Sequence, residues 1–412
     1  MLESYMRRPS ALARFRSGPF GRYADGFAAA LSAAGYAQDT GSSSIRHAAH
    51  LVMWAGQQGI GIPGLDEQIV VGFEAHLATC RCPGHRAGGH ERAATRVMIF
   101  LDYLRSQDVI PPRAQKDAAG CPLVDGFCAW MERHRGVTAA TLVVYGRVAR
   151  RLVALIGSEP QRYAAGMLRD AVVGLARGCG TSKAKQIVTV SRAFVRHLSV
   201  EGRCEPGLDA ALPQIASWSL ASLPRYVSPE DVRRIVDACD PRLPGGVRDR
   251  AILLLLARVG LRAGDIVEMR ARDIDWARGS IVVRGKGRRE VALPLPQDAG
   301  EAVLAYLAQR AHTPTDRLFV SARAPFGPLG GSATVSQIVG RAIARSGVAT
   351  PSRGAHLLRH SAATALLREG VSLPAIGAIL RHRSVETTAR YAKVDVQMLR
   401  SVARPWVEGT PC

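Results

Sequence analysis

Long apolar runs are missing from this chain. The longest, residues 251–257 and then 259–261 beyond Arg258, falls far short of the roughly 20 residues that cross a bilayer, so no membrane span is expected. Cysteine is scarce as well: eight in 412 residues are too few for a disulfide scaffold and read as small buried hydrophobes. Met1 to Arg8 has an early acid, Glu3, and lacks the apolar stretch of a signal peptide, so a reducing, cytoplasmic setting is expected. Negative charge is also in deficit, with 34 Asp and Glu against 55 Lys and Arg, a net charge of +21 and an isoelectric point near 10.5. A field of that sign attracts a polyanion, nucleic acid first and an anionic membrane surface second. Lysine is nearly absent from this basic set, with Lys116, Lys183, Lys185, Lys286 and Lys393 the only ones. Arginine's planar fork suits phosphate, although a GC-rich coding sequence gives the same bias.

What is present is enough for globular domains: 47% of residues are hydrophobic and 22% charged, which excludes a disordered tail. Turn-rich stretches at Pro111-Pro112 and between Pro206 and Pro224 divide the chain. The expected domains are a helical block over 1–112, a second helical block over 113–212, a linker over 213–224 and a third block over 225–412. A helical pattern is expected from Ile45 to Leu77 and around Arg92 to Arg105. In the middle block Leu142, Tyr145, Val148 and Leu152 recur at spacings of three and four, as do Ile187, Val190, Phe194 and Leu198. Arg147, Arg150, Arg151, Lys183, Lys185, Arg192 and Arg196 are left outside that stripe, either as a solvated face or as a DNA-facing one. Ser228-Pro229-Glu230-Asp231 is a helix start with a capping serine, proline in the first turn and acids at the positive end of the dipole. The period then changes to two: Ile281 and Val283 precede Gly285-Lys286-Gly287, and Val291, Leu293 and Leu295 follow, a hairpin pattern. A further short strand is expected at Leu318 to Val320.

The chemistry concentrates after Gly354. His356, Arg359 and His360 stand at helical spacings of three and four, so three cation-capable groups share one side of a helix. Such a cluster is costly unless it faces an anion, and phosphate is its natural occupant. A zinc site on His356 and His360 lacks the glutamate of a helical metalloprotease, since Leu357 follows His356, and the only acids between Arg353 and Lys393 are Glu369 and Glu386. A phosphate-binding loop at Gly285-Lys286-Gly287 fails on spacing from Gly279 and on the glycine that stands where Ser or Thr is needed. In the first block Cys80, Cys82, His85 and His90 are a weak zinc candidate, weak because one residue separates the cysteines where zinc knuckles place two or more, so a loop with incidental cysteines is expected.

Five fragments in order, Gly260-Leu261-Arg262 with Asp265, Gly285-Lys286-Gly287, His356-Leu357-Leu358-Arg359-His360, Leu380-Arg381-His382-Arg383-Ser384 and Tyr391-Ala392, resemble the tyrosine recombinase or phage integrase family. The resemblance covers the third block. By position and length the second block is similar to the family's helical core-binding domain, and the first is left unexplained as an arm-type DNA-binding or subunit-contact module. It implies a mainly α fold with a small antiparallel β-sheet in the C-terminal catalytic domain. It also implies site-specific DNA strand exchange through a 3′-phosphotyrosyl intermediate, with Tyr391 as nucleophile, Arg262, Lys286, His356, Arg359 and His382 around the phosphate, and Asp265 in support. No metal or nucleotide cofactor is implied. The implied partners are double-stranded DNA and further copies of the chain in a tetramer, with related recombinases as further partners. A tail carrying Val394, Met398, Leu399, Val402 and Trp406 either folds back or docks on a neighbouring subunit. Two departures from the family stand out: Arg381 replaces a usual glycine, and Ser361 a common threonine. Two other readings stay open, a type IB topoisomerase or hairpin-forming resolvase with the same chemistry, and a catalytically silent DNA-binding regulator.

The residues themselves support the chemistry. A phenol with a pKa near 10 needs a cationic site to attack phosphorus, guanidinium forks suit two non-bridging oxygens, and imidazoles exchange protons near neutral pH. Lys286, carried on a turn, can protonate the leaving oxygen.

Overall fold

A computed structural model describes residues 1–82, 92–113, 120–216, 223–284, 290–382 and 384–394. The chain forms two compact units, one made of Met1–Pro111 with Ser222–Cys412 and the other of Pro112–Ala221. It is mainly helical, with one three-stranded antiparallel sheet in the C-terminal block, which is the expected fold class. Among the described residues no helix is long and apolar enough to cross a membrane.

Residues 1–110 enclose their own core, in which Phe27, Phe73 and Phe100 are fully buried. The expected continuous pattern from Ile45 to Leu77 is corrected here: Gln38–Gln57 and Glu67–Thr79 are separate helices. Gly59, with φ +75°, and Pro63 break the ladder between them, and Asp66 starts the second helix by accepting from the backbone N–H groups of Gln68 and Ile69.

The middle unit packs the helices Pro122–Arg135, Ala139–Ile156, Ala165–Ala176 and Thr181–Val200 around Phe127 and Phe194, whose rings meet edge to face at 5.4 Å. Leu152, Ile187, Val190, Phe194 and Leu198 are buried, as their spacing requires.

In the C-terminal block the Pro229–Asp237 helix is capped as read, the Ser228 hydroxyl accepting from the Asp231 backbone N–H at 3.1 Å. The Gly246–Arg258 helix is apolar nearly all round and runs through the core, with Ala251 to Leu256 buried. The hairpin also forms: Ser280–Arg284 pairs with Glu290–Pro294, Ile281 opposite Leu293 and Val283 opposite Val291, with Ile274–Asp275 as the third strand. Leu318, Phe319 and Val320 are buried but form no strand, since only Val320 makes a bridge, to Pro328. Beyond the main core, Ala363, Leu367, Ile376, Leu380 and Tyr391 form a smaller one. This satellite core seats Ile376, Leu380 and Tyr391 against the Ala355–Arg368 helix.

Candidate active site

Three chain crossings meet at one point. The first is the turn that ends the central helix, where Gly260 has φ +68° and a Cβ would stand 2.6 Å from Leu380 Cδ2, so only glycine lets the turn approach. Arg262 follows, at the start of the Ala263–Glu268 helix, and its backbone N–H donates to Asp265 Oδ2 at 2.7 Å. The second crossing is the Ala355–Arg368 helix, which presents His356, Arg359 and His360 from its first two turns. The third runs from the end of the Leu373–Ile379 helix through Leu380, Arg381 and His382 to Tyr391 in the Arg390–Val394 turn.

The two arginines clamp the third crossing. Arg359 is buried and donates to the carbonyls of Gly260 and Leu380, while Arg262 donates to the carbonyls of Arg381, at 2.8 Å, and Leu380, at 3.3 Å. Both guanidinium groups thus converge on one carbonyl, that of Leu380. Burial and the adjacent Arg262 charge push Arg359 down to about 10.

Tyr391 is the largest fully buried side chain among the described residues. Its hydroxyl lies 2.6 Å from His360 Nδ1, and its ring stacks on His382 with centroids 6.2 Å apart and an interplanar angle of 4°. Burial raises the phenol's pKa, outweighing the opposing pull of Arg359 and Arg390. His360 is pushed down to about 4 by burial, with His356, Arg390 and Arg359 adding to it. His382, whose Nδ1 lies 2.8 Å from the Thr388 hydroxyl, is likewise pushed down to about 4, by burial first and then by Arg359 and Arg262. His356 keeps an exposed edge, yet partial burial and the two arginines lower it too. At neutral pH the site therefore holds a protonated phenol, neutral imidazoles and charged guanidinium groups. It is a cationic pocket.

The sequence profile of the Phage integrase family matches residues 225–398, the block that contains this pocket. A protein of Sinorhizobium fredii named as an integrase/recombinase, y4rA, is 34% identical over 98% of this chain and 99% of its own length. The chain belongs to the phage integrase family of tyrosine recombinases. As such it is an enzyme that cleaves and rejoins DNA strands. The fold of the recombinase agrees with solved relatives at low identity. The XerH site-specific recombinase bound to a palindromic difH substrate aligns with a TM-score of 0.56 and 17% identity, over 74% of this chain and 94% of that one. A lambda integrase tetramer bound to a Holliday junction aligns with a TM-score of 0.53 and 19% identity, over 74% and 88%.

Of the residues singled out in the sequence, Arg262, Arg359, His356, His382 and Tyr391 come together in the recombinase, with Asp265 at the edge. Lys286 lies outside the described residues, as do His85, His90 and the tail beyond 394. His360 stood in the recognised cluster but not in the set expected to react, although it is the partner of the Tyr391 hydroxyl. Its signal was the four-residue spacing from His356. Arg381 sits at φ +54°, just past a helix end where glycine is favoured, and its side chain is 7% exposed. It pairs with Asp265, while its Nε and Nη1 find no hydrogen-bond partner among the described residues.

One further expectation changes. In the middle unit Arg192 donates to the carbonyls of Asp209, Leu212 and Pro213, and Arg196 pairs with Asp209 at 2.7 Å, so these two are used locally. Arg147, Arg151, Lys183 and Lys185 remain exposed. In the first block Cys80 and Cys82 lie in the irregular chain just past the Glu67–Thr79 helix, against His50 and His76.

Proposed function

We propose that this chain is a site-specific recombinase in which Tyr391 attacks a DNA phosphorus. The phenolic oxygen forms a bond to phosphorus as the bond to the 5′ oxygen breaks, which leaves a 3′-phosphotyrosine and a free 5′-hydroxyl. Arg262 and Arg359 bind the two non-bridging oxygens and stabilise the charge of the pentavalent transition state. His356 and His382 donate to the same phosphoryl group. Lys286 protonates the leaving 5′ oxygen. Attack by a 5′-hydroxyl from a second strand reverses the chemistry, so phosphodiester energy is retained. His360 accepts the phenol's hydrogen bond and, once phosphate charge offsets the surrounding arginines, becomes basic enough to take its proton. Asp265 positions the Arg262 backbone and holds Arg381.

The observation that carries this reading is the hydroxyl of Tyr391 at 2.6 Å from His360, with its ring on His382, inside a pocket whose charges come from two arginines of separate chain crossings. A silent DNA-binding regulator has no need of a nucleophile kept in that pocket. The substrate is double-stranded DNA, for which Arg147, Arg151, Lys183 and Lys185 of the middle unit supply exposed positive charge. Likeness to a lambda integrase tetramer on a Holliday junction supports a tetrameric assembly on DNA. A suicide substrate carrying a nick beside the cleavage point tests the reaction. The wild type should accumulate a covalent adduct at Tyr391 with a free 5′-hydroxyl, and Tyr391→Phe should form none while retaining DNA binding. Joining of two different sites, rather than relaxation of supercoils alone, separates recombination from topoisomerase action. Adducts that survive in Tyr391→Phe would mean another nucleophile.

A further inference from the structure

Outside the catalytic block, four soft donors converge in the N-terminal core. His50 comes from the Gln38–Gln57 helix, His76 from the last turn of Glu67–Thr79, Cys80 closes that helix, and Cys82 stands two residues on. One donor atom from each lies within 4.8 Å of all the others. His50 Nε2 is 3.5 Å from Cys80 Sγ, and His76 Nε2 is 3.5 Å from Cys82 Sγ. With zinc–sulfur bonds of about 2.3 Å and zinc–nitrogen bonds of about 2.1 Å, a tetrahedron has sulfur–nitrogen edges of about 3.6 Å. Both measured pairs have that length.

The surroundings suit a closed, structural site. The Cys82 backbone N–H donates to Cys80 Sγ at 3.4 Å. Trp54 stacks on the His76 ring at 5.4 Å and Phe73 meets the His50 ring edge to face at 5.0 Å, so both imidazoles are held by packing. Two thiolates and two neutral imidazoles around a dication carry no net charge, and a neutral centre is the one a buried position tolerates. His50 and Cys80 are buried.

We propose that His50, His76, Cys80 and Cys82 bind one zinc ion that staples the Gln38–Gln57 helix to the end of the Glu67–Thr79 helix. Binding forms two Zn–S and two Zn–N bonds and releases two thiol protons to solvent, with no change of oxidation state. All four positions are filled by protein, so the ion is structural and takes no part in strand cleavage. The close Cys-x-Cys spacing, too tight for a knuckle on its own, works because the histidines come from helices: His76 and Cys80 are four apart on one face, and His50 is brought in by the fold.

The full-length chain, produced without a histidine tag in zinc-supplemented culture and dialysed free of loose metal, should contain about one zinc per chain by elemental analysis. Replacement by Co²⁺ should give the visible absorption of a tetrahedral site together with thiolate-to-cobalt charge transfer. Cys80→Ser with Cys82→Ser, and separately His50→Ala, should lose the metal, while His85→Ala, His90→Ala and Tyr391→Phe should keep it. Less than about a tenth of an equivalent of zinc in the wild type, with no tetrahedral cobalt spectrum, would leave only thiol–imidazole hydrogen bonds and overturn the site. Retention in folded His50→Ala, or loss in His85→Ala or His90→Ala, would overturn the ligand set. The two wild-type measurements decide the matter even if a ligand variant fails to fold.

Discussion

Lowering the pH from 7 to 5 should weaken the unit that carries the active site, because His360 and His382 are both pushed down to about 4. In the unfolded chain an imidazole titrates near 6.5, so between about 4 and 6.5 the unfolded state binds more protons and stability rises with pH. The contribution is complete above about 6.5 and is lost as the pH falls toward 4. For one histidine with these two values, linkage between pH 7 and pH 5 amounts to about 1.8 kcal/mol at full strength. Both rings keep some contact with solvent, which screens the arginine charges, so about 1 kcal/mol each and about 2 kcal/mol together is the working figure. Urea unfolding at the two pH values, for the wild type and for His360→Gln with His382→Gln, isolates the pair, because every other titrating group cancels in the difference. With a slope of about 2 kcal/mol per molar urea, the wild-type midpoint should fall about 1 M further than that of the double variant. Equal falls would refute the claim that burial, helped by neighbouring cations, keeps these imidazoles uncharged in the folded pocket. DNA binding near pH 5.5 should take up protons, since a phosphate brings negative charge beside His360 and His382 and raises both from about 4. Calorimetry in two buffers of different ionisation enthalpy reads that uptake.

Arg262→Ala and Arg359→Ala should each slow single-turnover adduct formation by about 10²–10³-fold, the cost of removing one oxyanion donor, and near-normal rates would sink the phosphate clamp. At position 381, where φ is +54°, Arg381→Gly should be more stable than Arg381→Ala by about 1 kcal/mol in thermal melts, because both lose the Asp265 pair but only alanine keeps the left-handed strain. DNA affinity should fall steeply with salt, with a log–log slope of about −0.9 per phosphate contact. Lys183→Ala and Arg147→Ala should each make that slope shallower by about 1, whereas Arg192→Ala, which removes bonds to Asp209, Leu212 and Pro213, should lower stability and leave the slope nearly unchanged.

Local features were legible where local chemistry decides them. Ser228 caps its helix because a hydroxyl three residues before an orphan N–H needs nothing from the rest of the fold, and the strands at 280–284 and 290–294 announce themselves by a period of two. The candidate set that the structure brings together was legible only as an ordered string of motifs, since Arg262, Arg359 and Tyr391 are far apart in sequence and no spacing rule joins them. Partner choice was not legible. Nothing in the sequence says that Arg192 is used on the carbonyls of the 209–213 segment while Arg147 remains in solvent, or that His360 rather than His356 holds the Tyr391 hydroxyl. The imidazoles that meet the Cys80 and Cys82 sulfurs were not legible for the same reason: one comes from the helix that Cys80 closes and the other from a different helix, 30 residues before Cys80.

The pocket satisfies its cations with backbone. Arg359 and Arg262 donate to the carbonyls of Gly260, Leu380 and Arg381, and Arg381 turns to Asp265, so carbonyl dipoles and one carboxylate occupy the donors that a phosphate would use. These acceptors are weaker than a phosphate, and Arg359, His360 and His382 are pushed down by burial first and by their neighbouring cations second. A phosphodiester entering the pocket must therefore compete for donors now held by the Leu380–Arg381 turn, and that turn is continuous with the segment that carries Tyr391. Loosening the turn and freeing the phenol from its fully buried seat become one event. On the proposed chemistry, the covalent geometry of the chain couples phosphate binding to release of Tyr391, whose burial keeps its phenol protonated and covered.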